Sequence, residues 1–249
     1  MRTLVCIKRV PETGARITLT ADEQEIDTSF LGFTISPHEE CAVEEAIRLV
    51  EAHGGESVVL TLGPAAAAEQ LRNAIAMGIG SAIHLETDGR EWGPQAIAAA
   101  IADAVRDEAF DLLLFGNESA DSGGYQVGIR VAHLLGLPCV TGIKGIEVGE
   151  GSLATRREAG GGWEVFDLPL PAVVGVREGI NLPRYPPLQG RIRAKKAELR
   201  QLEPQCSPDG LEKARLVVPV EEQTPVEILG EGAAAAPRVV AVLKELGVA

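Results

Sequence analysis

The residues best suited to ligand chemistry lie in one stretch, FDLLLFGNESADSGGYQVG, which covers residues 110–128. An apolar run stops at Gly116 and gives way to small polar residues, two of them acidic. Gly123 and Gly124 allow the backbone to approach a ligand closely or to adopt a positive φ. A helical pattern follows, and the amides at the start of a helix favour an anion. The stretch predicts a phosphate-binding loop, although a loop that only turns the chain and caps a helix would show the same local sequence.

Side chains of this loop could add hydrogen bonds to a bound nucleotide, as Ser119, Ser122, Tyr125 and Gln126 carry the necessary groups. Asp121 is unusual beside a phosphate, so its expected role is to accept hydrogen bonds from loop amides or from a sugar hydroxyl.

Other candidate residues lie where further predicted strands end. In open parallel sheets, ligands bind beyond the carboxyl ends of the strands, near the point where the strand order reverses. Residues 6–8 and 61–63 reach such ends, and residues 36–39 lie just before a helix at the same edge. His38 lies at this junction between loop and helix, which makes it the histidine best placed for a site.

Several function classes find no support in the sequence. It contains no GxxxxGK[ST], no GxGxxG after the first strand, no GxSxG and no HExxH, so the common ATPase, NAD, hydrolase and zinc-protease motifs are missing. The four cysteines are far apart, and no metal site is expected. A formal net charge of -13 argues against nucleic-acid binding.

The elements that must position the loop alternate between strands and helices as far as about Gly142. Strand-like runs such as 3–10 and the run before Gly116 are almost continuously apolar, which indicates burial on both faces. A helix is expected over 37–55 and another over 123–137. This pattern predicts an α/β fold with a doubly wound, mostly parallel sheet, similar to Rossmann and adenine-nucleotide-hydrolase folds.

The pattern changes after Gly142. Residues 143–176 predict two or three antiparallel strands with a turn at the glycines 160–162, and a proline-rich basic loop follows. We expect residues 1–196 to form the nucleotide-binding domain, including a loop at 184–193, and residues 197–249 to form a C-terminal arm. The chain has no long apolar segment of about 18 residues, so a cytoplasmic protein without direct membrane insertion is expected.

Five stretches together resemble the β subunit of electron transfer flavoprotein: VCIKRVPE, SPHEECAVEEAIRL, LGPAAAAEQLRNAIAMG, FGNESADSGGYQVG and LPAVVGVREGINLPRYPPLQGRIRAKK. The similarity runs from about Thr3 to Lys196. It implies a heterodimer with an α subunit that makes most contacts to a shared redox FAD, while the β subunit binds AMP. It also implies an electron carrier rather than an enzyme, serving acyl-CoA dehydrogenases and a quinone oxidoreductase.

The resemblance also assigns residues by position. His38 falls near the flavin of the α subunit, and the arm would pack on that subunit. Leu188 matches the leucine that anchors partner dehydrogenases, and Glu158 matches an acid that influences the position of the flavin domain. The nucleotide-binding residues would be Cys6, Ser36, Pro37, His38, Glu39, Leu62, Gly116, Ser119, Asp121, Ser122, Gly123, Gly124, Tyr125, Gln126 and Val127. The partner-docking residues would be Arg184, Tyr185, Leu188, Arg191, Arg193 and Glu158.

The sequence departs from the family pattern at two places. Ser36-Pro37-His38 replaces an Asn-Pro-Phe turn, and Tyr125-Gln126-Val127 replaces Asn-Gln-Thr, so the last position can offer a phosphate only its backbone. Because QVG also resembles the electron-bifurcating branch, a second FAD in place of AMP is the alternative ligand. A stand-alone sensor of adenine nucleotides is a further alternative, but it leaves the PRY loop and the arm unexplained.

Overall fold

Short apolar runs form the strands, and amphipathic segments between them form the helices. The computed structural model describes residues 1–12, 14–207, 213–219 and 226–248. The strands are β1 (Arg2–Ile7), β2 (Val10–Pro11), β3 (Phe33–Thr34), β4 (Glu56–Gly63), β5 (Ser81–Glu86), β6 (Leu112–Gly116), β7 (Cys139–Val148), β8 (Ser152–Ala159), β9 (Gly162–Pro169), β10 (Ala172–Val176) and β11 (Arg200–Leu202). The α-helices are α1 (Pro37–His53), α2 (Ala68–Met77), α3 (Pro94–Val105), α4 (Val127–Leu135), α5 (Leu188–Lys196) and α6 (Ala236–Glu245).

Nine of the strands form one sheet in the order β11-β5-β4-β1-β6-β10-β7-β8-β9. The first seven in this order pair in parallel, whereas β8 and β9 continue from β7 as an antiparallel hairpin. The chain leaves β1 through α1 toward β4 on one side, while β6 lies on the other side of β1. The strand order therefore reverses between β1 and β6, and the α/β fold with a mostly parallel sheet is confirmed.

Alternate residues of β1 belong to two separate hydrophobic cores, one on each face of the sheet. Val5 and Ile7 pack in the core that includes residues of α1 and α2, and Leu4 and Cys6 pack in the core that includes residues of α3 and α4. Burying one such aliphatic side chain contributes about 1.5–3 kcal/mol. The two cores hold the carboxyl ends of β1 and β6 in fixed positions, which is what a binding site at that edge requires.

Three sequence expectations need correction. Residues 172–176 form not an antiparallel strand but β10, which is parallel and lies between β6 and β7. The helix expected over 123–137 begins only at Val127, because Gly123 and Tyr125 have positive φ of 56° and 53°. The expected loop at 184–193 is half helical, since α5 begins at Leu188 directly after Pro187.

The expected arm begins as part of the sheet. Its residues 200–202 form β11, which pairs in parallel with β5. Farther along, the amide of Leu216 donates to Glu23 O at 2.8 Å, and Gln24 Nε2 donates to Ala214 O at 3.1 Å. Helix α6 contains no buried residue. Within the described ranges, no helix has the length and apolar character needed to cross a membrane.

Candidate functional site

The site lies in the crevice between the ends of β1 and β6, against the start of α1. Gly116 closes β6 here, and a Cβ atom at this position would lie 2.6 Å from Cγ of Glu39. Only glycine permits this approach, because real Cβ atoms do not come so close to other carbons. The sequence therefore brings the 36–39 turn and the 116–127 loop together, as expected for one site.

Glu39 ties the start of α1 to the end of β1. Its carboxyl group accepts hydrogen bonds from the amide of Lys8 (Oε1, 3.0 Å) and from the amide of Ser36 (Oε2, 3.0 Å). Pro37 occupies the first position of the helix, where its missing N–H costs nothing. Burial raises the pKa of the Glu39 carboxyl to about 8, while the two amides and the Lys8 charge act in the opposite direction. The Ser36 hydroxyl donates to Glu118 O at 3.1 Å and so links this turn to the loop.

Asp121 pairs with Lys8 across the crevice. Lys8 Nζ lies 2.9 Å from Oδ1 and 2.6 Å from Oδ2 of Asp121, and the Ser122 amide donates to Oδ1 at 2.7 Å. Burial raises the pKa of the Asp121 carboxyl, but the hydrogen bond and charge of Lys8 outweigh it and hold the pKa below its usual range. The expected hydrogen bond from a loop amide is therefore present, whereas Lys8 as partner was not anticipated.

In the rest of the loop, the groups available to a ligand are mainly backbone amides. The Gly123 amide donates to Ser119 O at 3.0 Å, and the first backbone bond of α4 runs from Arg130 N to Gln126 O at 2.9 Å. In the part of the chain that the structure describes, the amides of residues 124–129 have no protein acceptor. These consecutive donors at the reversal of strand order form a cradle suited to an anion.

Gly128 is a packing position beside the candidate site that the sequence analysis did not single out. A Cβ atom here would lie 3.0 Å from Cγ of Phe115, so glycine lets the first turn of α4 approach β6 closely. A glycine in the first turn of a helix after a strand was the available signal, because nucleotide folds use such a glycine for close helix–strand packing.

His38 is held in one orientation at the rim of the crevice. Its Nδ1 accepts a hydrogen bond from the Glu178 amide at 2.8 Å, so its proton is on Nε2, which faces Glu118 Oε1 at 3.3 Å. A hydrogen bond to the same carboxylate raises the pKa of the Tyr125 hydroxyl. Glu118 thus joins the α1 turn to the loop, another role that the sequence did not reveal.

Three of the residues predicted to bind the nucleotide have side chains that are buried, lie away from the crevice or are already paired. The Cys6 side chain is buried in the core, and burial raises the pKa of its thiol well above the usual range. Leu62 is half-buried near the end of β4, on the far side of β1. The Gln126 side chain accepts hydrogen bonds from Arg130 at 3.0 and 3.2 Å.

The predicted docking residues fall into an exposed group and an anchored group. Tyr185 and Leu188 are 92% and 74% exposed. Arg184 is anchored, because its guanidinium pairs with Glu44 at 2.9 Å and with Glu51 at 2.7 Å on α1. The remaining docking residues are placed as follows: Arg193 Nη2 donates to Ile75 O at 2.8 Å, Arg191 is exposed on α5, and Glu158 pairs with Lys144 at 2.8 Å on the hairpin side of the sheet.

A cavity of about 560 Å³ opens at another edge of the molecule, beside the ends of β5 and β11. Its lining includes Glu86, Trp92 and Cys206 but none of the predicted nucleotide residues. We place the site at the β1–β6 crevice instead, because the unpaired amides and the reversal of strand order coincide there.

Comparison with known proteins places the chain in the same family by two kinds of match, a family model and individual relatives. Residues 26–205 match the family model described as the electron transfer flavoprotein domain. The electron transfer flavoprotein subunit beta of Bacillus subtilis is 37% identical over 205 residues, covering 82% of this chain and 79% of that protein. The subunit of the same name from Syntrophomonas wolfei is 38% identical, covering 79% and 77%. The one from Homo sapiens is 32% identical over 251 residues, covering 99% and 98%.

Proposed function

Because this chain belongs to the electron transfer flavoproteins as a β subunit, and is therefore an electron carrier, we propose that it binds AMP in the crevice between β1 and β6. The phosphate accepts hydrogen bonds from the amides of residues 124–129, and the ribose lies toward the 36–39 turn. AMP is a structural ligand in this proposal. The redox chemistry belongs to an FAD that is held mainly by the α subunit.

The observation that carries this proposal is the run of unpaired amides at the start of α4. Six consecutive N–H donors without a protein acceptor lie at the start of a helix, where the backbone favours an external anion. Val127 contributes only its backbone, which suffices because phosphate binding at a helix start depends on N–H groups.

A second FAD is the alternative occupant of the same cradle. Residues 121–126 are exposed to solvent, which is compatible with a larger dinucleotide that extends beyond the phosphate position. The sequence Gln126-Val127-Gly128, which resembles the bifurcating branch, favours this alternative.

The wider role follows from the family. We propose a cytoplasmic heterodimer with an α subunit, in which His38 lies near the shared FAD and the C-terminal arm packs on the α subunit. Leu188 and Tyr185 contact acyl-CoA dehydrogenases or other electron donors, and a quinone oxidoreductase accepts the electrons.

The test is to identify the nucleotide in the assembled protein. The chain is co-expressed with its α subunit, the complex is purified and denatured, and the released nucleotides are separated by chromatography. One AMP and one FAD per heterodimer support the proposal. Two FAD per heterodimer support the alternative ligand, and a complex that releases FAD alone at one per heterodimer contradicts binding at the crevice.

A further inference from the structure

Lys8 lies outside the predicted nucleotide set, yet it contacts two parts of the crevice at once. Its amide donates to Glu39 Oε1 at 3.0 Å, which fixes its main chain against the start of α1. Its ammonium group reaches across the crevice to both carboxylate oxygens of Asp121, at 2.9 and 2.6 Å. Lys8 thereby connects the end of β1 with the loop that follows β6.

The base and the outer turn of this loop are held in different ways. At the base, the Asn117 amide donates to Val176 O at 2.9 Å, and Glu118 O accepts from the Ser36 hydroxyl. The outer turn, residues 119–123, is closed by bonds within itself, namely Gly123 N to Ser119 O and the Ser119–Ser122 hydroxyl pair at 2.8 Å. Among the described residues, every hydrogen bond or ion pair from this turn to another element runs between Asp121 and Lys8.

We propose that Lys8 is a positioning residue, which holds the outer turn so that the amides after it are already aligned for the nucleotide phosphate. This inference rests on the proposed function, because it concerns the same cradle. Ordering a loop when a ligand binds reduces affinity, and a loop that is ordered beforehand avoids that loss. Lys8 acts here through Asp121, without touching the ligand.

The geometry favours this role over direct contact between Lys8 and phosphate. Both oxygens of Asp121 face the ammonium group, so its charge is already compensated. Asp121 also accepts from the Ser122 amide at 2.7 Å, which makes the carboxylate part of the turn itself. If Lys8 bound the phosphate directly, Asp121 would instead be a competitor whose removal strengthens binding.

The test compares Lys8→Met, Asp121→Asn and the double variant in the heterodimer. Each complex is freed of nucleotide and titrated with AMP by calorimetry, and amide hydrogen exchange of residues 119–124 is measured in the AMP-free state. We expect each single change to weaken AMP binding about fivefold and to accelerate exchange in the turn. The double variant should bind no more weakly than the weaker single variant, since both remove one interaction. Lys8→Arg should keep most of the affinity.

Arg90→Met provides a control, because it removes an ion pair of similar length (Arg90–Asp88, 2.6 Å) at another strand end. It should alter neither AMP binding nor exchange of the turn. Tighter AMP binding by Asp121→Asn would overturn the inference, as would unchanged exchange and affinity in both single variants. If the unmodified complex bound no AMP, the proposed function would fail, and the exchange measurement would still decide whether Lys8 holds the turn.

Discussion

Glu39 shows how one side chain can define a crevice. Its two oxygens accept from the amides of Lys8 and Ser36, which belong to two different segments of the chain. It is only 6% exposed. These two amides are already paired and are not available to a ligand, unlike the amides at the start of α4.

The stability of the protein should depend on pH through Glu39. Burial raises the pKa of its carboxyl from 4.5 to about 8. Between these values the folded state holds one proton more than the unfolded state, so the free energy of unfolding falls as the pH rises. Glu39→Gln cannot ionise. We expect the free energy of unfolding of the wild type to fall, relative to this variant, by at most about 1.4 kcal/mol per pH unit.

Urea denaturation of both proteins from pH 5 to pH 9 measures this difference. Above about pH 8 the difference should become constant. A difference that is constant over the whole range would mean that the carboxyl is charged throughout and would contradict the protonated form.

Gly124→Val tests the cradle at the level of one residue. A Cβ atom at Gly124 meets only Ser122 Oγ, at 3.9 Å, so the fold without ligand has room for a side chain. With the phosphate bound, the valine crowds it. Overpacking of this kind costs roughly 1–3 kcal/mol, so we expect AMP to bind at least about fivefold more weakly in calorimetry.

Gly162→Val is the matched control, because its nearest neighbour is also 3.9 Å away and it lies at the start of β9, away from the crevice. It should leave AMP binding unchanged. Equal affinities for the Gly124→Val and wild-type complexes would show that the phosphate does not lie beside Gly124.

At the residue scale, the local sequence was enough to predict that Gly116, Gly123, Gly124 and Asp121 lie at the end of a strand and in the loop before a helix, because glycine and acidic residues are typical of such loops. It was insufficient for Lys8, whose partner is 113 residues away. Such pairings depend on which strands become neighbours, and local patterns do not determine that.

At the scale of elements, α5 is the clearest departure from expectation. Its segment LQGRIRAKK has few apolar residues and a glycine in its first turn, so its local preference for a helix is weak. Tertiary contacts stabilise it, because Arg72 Nη1 donates to Ala197 O at 3.1 Å and Arg193 Nη2 donates to Ile75 O at 2.8 Å. Helix α5 therefore packs on α2 as part of the domain and presents Leu188 from a fixed base.

Gly190→Ala tests this packing. A Cβ atom at Gly190 would clash with the main chain of α2, because it would lie 2.1 Å from Ala76 O. In an isolated helix, alanine would be favoured by about 1 kcal/mol over glycine. We nevertheless expect a loss of roughly 1–3 kcal/mol in the free energy of unfolding, measured by urea denaturation.

Gly162→Ala is the comparison at an open position and should change the free energy of unfolding far less. A more stable Gly190→Ala protein would contradict the close contact between α5 and α2.

The β-strands illustrate what patterns can and cannot predict. The parallel strands β1, β4, β5 and β6 were predictable because apolar runs alternated with helical segments. The run AVVGV of β10 is buried along its whole length and has the same signature, but its position after a hairpin concealed that it returns to the middle of the sheet. Strand order is a property of the whole chain, so it lies beyond local reasoning.

At the scale of the whole molecule, the exposed apolar residues are consistent with a subunit that works in a complex. Leu188 protrudes with 74% of its surface exposed, and Arg184 anchors the segment before it to Glu44 and Glu51. A rigid base reduces the ordering cost when such a side chain enters a partner's pocket.

Leu188→Ala should therefore impair transfer from a partner dehydrogenase. Anchor residues contribute about 2 kcal/mol or more to binding, so we expect kcat/KM for electron transfer to fall at least about tenfold, with unchanged flavin content. Val165→Ala, which truncates a side chain that is 67% exposed on the hairpin, is the control. Equal rates for Leu188→Ala and the control would show that Leu188 does not contribute to docking of the dehydrogenase.

The most direct measurement is a structure of the purified heterodimer with its natural ligands. We expect an adenylate in the β1–β6 crevice, with phosphate oxygens within hydrogen-bonding distance of amides in residues 124–129 and with the Lys8–Asp121 pair intact. A crevice filled by side chains of either subunit, with those amides paired to protein acceptors, would contradict it.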